Sequence, residues 1–278
     1  MLSLSRKKHG IMNSFHFLSC RDWSSAVEYE KRTVIRMDRF FLQKLMYEQP
    51  DAKLKDLVMK LLYDDIISLK IAPGARINVN QIASELGISR TPVAEAVSGL
   101  IENGFVISRP EQSGSFVLEL SLTDMISLYQ VRNAIESEAA YLCAYSVEDS
   151  TIRDLTKLAD AFRDSVIMRD IRGMKDTDMP FHRLIIDSCG NQYLRRSYDQ
   201  ILPYLTRYQA SMMEFIARVS NEHNPWMANV KYNHTAVVSA IRMRLPDLAR
   251  QSMADHIASS LSFTSLSGEG VDPFASLR

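Results

Sequence analysis

Apolar residues first recur with a helical period at Leu54, Leu57, Val58, Leu61, Leu62 and Ile66, which predicts an amphipathic helix ending before Pro73-Gly74. Val79 to Leu86 repeats the pattern and is stopped by Gly87. Ser89 then caps a third helix with Pro92 in its first turn; it carries Val93, Val97, Leu100 and Ile101 and ends at Asn103-Gly104, a Schellman-type stop. Two short strands follow, Phe105 to Arg109 and Ser115 to Glu119, around Pro110 to Gly114. A helix, a helix–turn–helix and a hairpin in about seventy residues describe a winged helix–turn–helix. Beyond it the pattern is helical almost without interruption. Ser121-x-x-Asp124 caps a long helix through Met125, Leu128, Val131 and Ile135 toward Tyr145, and further stretches are predicted at 149–170, 173–189, 191–219, 226–244 and 247–264. Gly190-Asn191, Asn224-Pro225 and Pro246-Asp247 separate the later ones, and short connections make neighbouring helices antiparallel.

The fold class read from this is mainly α, an N-terminal winged helix–turn–helix followed by an antiparallel all-α bundle. The expected divisions are a basic, loosely ordered arm over 1–50, the winged domain over 51–120, the bundle over 121–264 and a disordered tail over 265–278. Ten glycines and nine prolines in 278 residues are too few for a turn-rich β architecture. Nowhere do 18 apolar residues run together, so nothing is expected to span a membrane. Arg6-Lys7-Lys8 before the uncharged stretch Ile11 to Cys20 faintly resembles an export signal, but Asn13, Ser14 and His16 interrupt it and no small-residue cleavage site follows. Cys20, Cys143 and Cys189 are an odd number, far apart and without a CxxC, which fits a reducing cytoplasm. Met12 and Met37 are both suitable alternative initiators.

A winged helix–turn–helix presents its third helix to the major groove, and here that helix opens with Ser89, Arg90 and Thr91. Arg90 is a natural bidentate reader of guanine or phosphate. The hairpin tip, with Gln112, Ser113 and Gly114, suits backbone contact with phosphates; protein contact is the other use of such a module. Ile71-Ala72-Pro73-Gly74, Leu86-Gly87-Ile88-Ser89-Arg90-Thr91-Pro92-Val93, Glu95-Ala96-Val97 and Asn103-Gly104-Phe105-Val106 together resemble the DNA-binding domain of GntR-type bacterial transcription regulators over residues 54–120. Where that family commonly has arginine after the Pro-Val pair this chain has Ala94, and where it often has a basic residue early in the second helix it has Asn80. Residues 51–120 carry seven Lys/Arg and nine Asp/Glu, whereas the first fifty carry nine and five. The zero net charge of the chain, 33 against 33, therefore divides into +4, −2 and −2. Every phosphate left without a cationic partner takes about one unit from the salt slope of binding, so weaker DNA binding than in a typical relative is expected, with the basic arm able to compensate along the backbone.

In the bundle, Asp178 and His182 are four apart and share a helix face. His234 and His256 lie eleven residues either side of the turn at Leu245, which puts both roughly 16 Å from it on neighbouring antiparallel helices. Three imidazoles and one carboxylate suit zinc, nickel or manganese better than calcium or magnesium. Taken singly, each has a plainer reading as a surface Asp–His hydrogen bond or a satisfied core histidine.

Asp178-Met179-Pro180-Phe181-His182 with Gly190-Asn191, then His234 with Ala240-Ile241, and Ala249 before His256-Ile257, resemble the FCD effector domain that accompanies this DNA-binding domain in the FadR subfamily, over residues 124–262. The resemblance implies that Asp178, His182, His234 and His256 hold a divalent metal ion, zinc first among the three, and that the bundle forms a homodimer. It also places Arg132, of an Arg-x-x-x-Glu pair with Glu136, where it can anchor a small carboxylate effector. The competing reading of Arg132 is an intrahelical salt bridge, and that of Asn191 is an N-cap.

The function expected is a ligand-responsive transcription regulator, not an enzyme, binding double-stranded operator DNA through Asn80, Ser89, Arg90, Thr91, Ser113 and Gly114, with Ser121 to Asp124 relaying the signal. Three alternatives stand beside it: a regulator that senses the metal itself, a family member that has lost most DNA binding, and a metal-dependent hydrolase. Against the hydrolase, neither Glu136 nor Asp187 has a spacing that puts a general base beside the site.

Overall fold

The computed structural model describes residues 37–109, 111, 113–219, 233–261 and 274. The arm up to residue 36, Pro110, Gln112, the segment 220–232 and the tail apart from Phe274 lie outside the described residues. The first described helix, α1 (Arg39–Glu48), falls where the sequence reading has a loosely ordered arm. Asp38 caps it, Oδ1 accepting from the amides of Phe40 and Phe41 at 2.8 and 3.2 Å. Only Leu42 and Leu45 face inward, too few to make a visible period, and docking against the next helices supplies what a ten-residue helix lacks alone.

Helices α2 (Leu54–Ile67), α3 (Val79–Leu86) and α4 (Arg90–Glu102) follow the predicted pattern closely. Gly87 and Gly104 take left-handed φ values of 69° and 75° and end α3 and α4. At the second stop the Gly104 amide bonds to Ile101 O and the Phe105 amide to Leu100 O, both at 3.0 Å, the Schellman pairing. The wing comprises β2 (Val106–Arg109) and β3 (Gly114–Val117), and a two-residue strand β1 (Arg76–Ile77) joins it in the order β1-β3-β2, all antiparallel. Two residues are too few to show an alternation, which is why β1 escapes a sequence reading. Val58, Leu62, Ile66, Ile82, Val93, Leu100 and Val117 are wholly excluded from solvent and fix α4 and the wing on one core. Each such side chain contributes roughly 1.5–3 kcal/mol on burial.

The bundle consists of α5 (Leu122–Ser146), α6 (Asp149–Met168), α7 (Ile171–Ser188), α8 (Gln192–Val219), α9 (Asn233–Arg242) and α10 (Pro246–Leu261). Ser121 caps α5, its hydroxyl accepting from the Asp124 amide at 3.0 Å. α5 packs against α7, α8, α9 and α10 and is buried on several sides, with Ala139, Ala140 and Ala144 allowing close approach of its neighbours. α7 continues through Pro180, which has no N–H to donate to Asp176 O one turn earlier.

Two side chains of α8 fasten the bundle to the winged unit, and a third holds the start of α5. Tyr204 stacks on Phe105, with ring centroids 4.8 Å apart, and donates to Asn103 O at 2.9 Å. Arg207, buried, donates through Nη2 to Leu118 O. The Tyr208 hydroxyl donates to Asp124 Oδ2 at 2.7 Å and accepts from the Ser121 amide at 3.2 Å. Phe274, in the stretch expected to be a disordered tail, is buried edge-on against Tyr208 at 5.5 Å.

Candidate functional site

α7, α9 and α10 bring Asp178, His182, His234 and His256 together in the bundle interior. All four are buried, and their ligand atoms lie within 4.8 Å of one another. The three histidines present the same atom. His182 Nε2 is 3.0 Å from His256 Nε2 and 3.4 Å from His234 Nε2, while Asp178 Oδ1 lies 3.3 Å from His234 Nε2 and 3.7 Å from His182 Nε2. Two donors each about 2.1 Å from one cation stand about 3.0–3.5 Å apart at ordinary ligand angles; the His–His and His234–Asp178 separations lie in that range, and the wider ones, 3.7 Å and up to 4.8 Å, close on one ion with a small movement of the side chains. Hydrogen bonding alone satisfies such a cluster poorly, because neutral imidazoles with converging Nε2 atoms have too few protons to share.

Packing orients the rings. His234 lies between Phe181 and Phe162, centroids 4.1 and 4.3 Å away, and His256 stacks on His182 at 4.9 Å. His182 alone of the three has its far nitrogen held, Nδ1 standing 2.5 Å from Glu136 Oε2. The other oxygen of Glu136 accepts from Arg132 Nε at 2.8 Å. Gln209 of α8 donates to Asp178 Oδ2 at 2.6 Å, leaving Oδ1 turned to the histidines.

The charge states suit cation binding. Burial opposes ionisation of Asp178, but hydrogen bonds and charge from His182 and His234 outweigh it and hold the carboxyl well below its ordinary range. Burial drives the pKa of His256 well down and that of His234 down, so both favour the neutral form that ligates. Burial also opposes charge on His182, but Glu136 reverses the balance and raises it.

Glu136 corrects one expectation. No spacing rule places it near the site, yet it is wholly buried directly behind His182, because Arg132 and Glu136 point inward from the middle of α5. One oxygen accepts from Arg132 and the other faces His182 Nδ1, so it supports the His182 ring and is not aimed at a water. Arg132 itself forms the salt bridge to Glu136, while its Nη2, also buried, has no hydrogen-bond partner among the described residues. Arg132 borders a cavity of about 20 Å³ with Tyr129, Asp178, Gln209, Met213 and His256. That is room for about one water. Asn191 is not among its lining residues; Oδ1 accepts from the Tyr193 and Leu194 amides at 2.9 and 3.3 Å and caps α8. Tyr129 on α5, and Gln209 and the clamp on α8, are not found from the sequence because their places depend on how those helices are rotated about their axes, which spacing leaves open.

The winged unit displays a second candidate surface. Ser89, Arg90 and Thr91 are exposed at the start of α4, and Ser89 occupies the N-cap position without capping through its hydroxyl. Asn80 is exposed on α3, its amide bonded to Asn78 Oδ1 at 3.1 Å. Ser113, with φ 48°, and Gly114 lie at the wing turn, where Arg76 Nη2 donates to Ser113 O at 3.0 Å. Ala94 opens onto a groove of about 770 Å³ along α4 that Asp56, Glu95 and Glu102 also line.

With both surfaces in place, comparison with known proteins decides the family. The model for "Bacterial regulatory proteins, gntR family" matches residues 54–117, and the FCD domain model matches 127–259. The chain is a GntR-family transcriptional regulator with an FCD domain. It is 24% identical over 188 residues to the gluconate operon transcriptional repressor of Bacillus licheniformis, covering 68% of this chain and 75% of that one. It is 24% identical over 208 residues to the HTH-type transcriptional repressor RspR of Escherichia coli, covering 75% and 87%. Among solved structures, E. coli McbR/YncC matches with a TM-score of 0.59 at 17% identity over 78% of this chain and 99% of that one. A putative GntR regulator from Rhodococcus sp. RHA1 matches at 0.55 and 20%, covering 77% and 98%. Among the described residues, no helix of this regulator is long and apolar enough to cross a membrane.

Proposed function

We propose that the protein is a cytoplasmic, homodimeric regulator of the FadR type that binds operator DNA through α4 and the wing and holds one divalent cation at Asp178, His182, His234 and His256. The observation that carries the reading is the convergence of three Nε2 atoms and one carboxylate oxygen inside an FCD domain. Zinc suits the donors best, with nickel or manganese as alternatives. The cation supplies a Lewis-acidic anchor for a carboxylate, and the unpartnered Nη2 of Arg132 offers a second. At about 20 Å³ the cavity admits a small organic acid only if Met212 and Met213 shift, which flexible methionines do readily. Such a ligand bears directly on α8, whose Gln209 holds Asp178, whose Tyr204 and Arg207 hold the winged unit and whose Tyr208 holds the Ser121 to Asp124 junction. The relay expected in Ser121 to Asp124 thus has α8 as its other half. A coupling of about 1–3 kcal/mol shifts operator affinity roughly 5- to 150-fold.

The test is DNA affinity of metal-loaded and chelated protein, each with and without a panel of small carboxylic acids. A shift of at least about fivefold with one acid, seen only in the loaded protein, is expected on this coupling range. Identical affinity in every condition contradicts ligand control. The small cavity also favours a second reading, in which the ion is itself the signal; loaded and chelated protein then differ without any acid.

Two further outcomes are expected. Glu136→Gln removes the charge that orients His182 and weakens metal affinity about 10- to 100-fold, measured by competition with a chelating dye. Ala94→Arg adds a cation to the outer face of α4 and steepens the salt dependence of DNA binding by about 0.9 log unit per log unit of salt, measured by fluorescence anisotropy from 50 to 200 mM KCl. An unchanged slope would mean that this face of α4 does not meet phosphate.

A further inference from the structure

We infer that α1, which lies outside the family match at 54–117, supplies an additional DNA-backbone contact through Arg39. The inference rests on the DNA-binding reading above and extends the interface to a helix that no family model covers.

Arg39 opens α1, and its guanidinium lies across the turn of the helix–turn–helix. From the position a Cβ would take at Gly87, its Cζ is 2.9 Å away, Nη1 3.1 Å and Nε 3.2 Å. Any side chain at residue 87 would displace it, so glycine here serves both the left-handed turn and the seat of the guanidinium. At most about 7 Å of chain separates Gly87 from Ser89, where the reading helix begins. The Arg39 charge therefore lies over the turn that leads into Ser89, Arg90 and Thr91.

Two further observations support a free cation held at this turn. The chain entering α1 is pinned there, because the Met37 amide donates to Glu85 Oε2 at 2.7 Å while Glu85 Oε1 accepts from Gln81 at 2.9 Å. Asp38, the other acid at the corner, is engaged in capping α1. Arg39 is exposed and, like Arg76 and Arg90 of the winged unit, has no ion pair among the described residues. The winged unit carries −2 over residues 51–120, and at this corner α1 adds an exposed cation to it. Phosphate is the partner that fits a guanidinium presented without its own counterion.

The experiment measures anisotropy of the full chain on a labelled duplex from immediately upstream of its own gene, from 50 to 200 mM KCl. Variants are Arg39→Gln, which keeps most of the stem over Gly87, and Arg39→Lys, which keeps the charge; thermal melts verify that each folds. Expected is a salt slope shallower by about 0.9 for Arg39→Gln, with affinity about 3- to 10-fold lower at 100 mM KCl, and near wild-type values for Arg39→Lys. If wild type binds with salt dependence and Arg39→Gln follows the same line, the inference is wrong while the DNA reading stands. If wild type itself shows no salt-dependent binding, the DNA reading fails and takes this contact with it. Equal losses in Gln and Lys variants at unchanged slope would assign Arg39 a packing role and overturn the inference.

Discussion

Replacing His234 by alanine is expected to abolish stoichiometric metal binding and to remove the thermal stabilisation that metal confers. A ligand that binds only the folded chain stabilises by RT ln(1 + [L]/Kd), about 4 kcal/mol at a thousandfold excess over Kd. In chains of 150–250 residues each kcal/mol moves the melting temperature by roughly 2–4 °C, so chelation should lower that of wild type by about 8–16 °C. The variant should melt at one temperature with and without chelator. Alanine also leaves a gap between Phe162 and Phe181, so the variant without metal should melt below wild type without metal. The two effects separate because only the first depends on the ion. Metal content by mass spectrometry and paired melts check both, and a variant that retained one ion per chain would remove His234 from the ligand set.

Arg90→Ala should cause the largest loss of DNA binding of any single change. Arg90 is exposed at the first turn of α4, between two hydroxyl side chains and without an ion pair among the described residues. A bidentate contact to guanine contributes about 1–3 kcal/mol, a factor of roughly 5 to 150 in affinity. The loss should be large on operator DNA and small on unrelated duplex if Arg90 reads a base. If it meets phosphate alone, both should weaken equally and the salt slope should fall by about 0.9. Unchanged affinity on both duplexes would mean that α4 is not the reading helix.

How much was legible in the sequence depended on the length of the pattern. α2, α3 and α4 carry inward residues at helical spacing, and α3 and α4 end on glycine or asparagine stops, so their boundaries follow from local rules. α1 and β1 are short elements whose stability comes from what they dock against, so nothing local announces them. The four clustered residues could be found because Asp178–His182 is an i, i+4 pair and His234 and His256 are symmetric about a tight turn. Both relations survive in the fold, since α7, α9 and α10 are regular there. Glu136 and Gln209 come from other helices, and their places depend on how α5 and α8 are rotated about their axes, which sequence spacing leaves open. For Asn191 the plainer alternative, an N-cap, is what the structure shows.

The central claim is that this chain is a DNA-binding regulator despite its neutral charge and the alanine at position 94. DNase footprinting of the metal-loaded protein on the DNA flanking its own gene, at 50 mM KCl, tests it most directly. The account predicts two protected half-sites about one helical turn apart, as a dimer presenting two reading helices requires, and loss of both with Arg90→Ala. A complete lack of protection by a folded, metal-loaded protein at that salt concentration would contradict it.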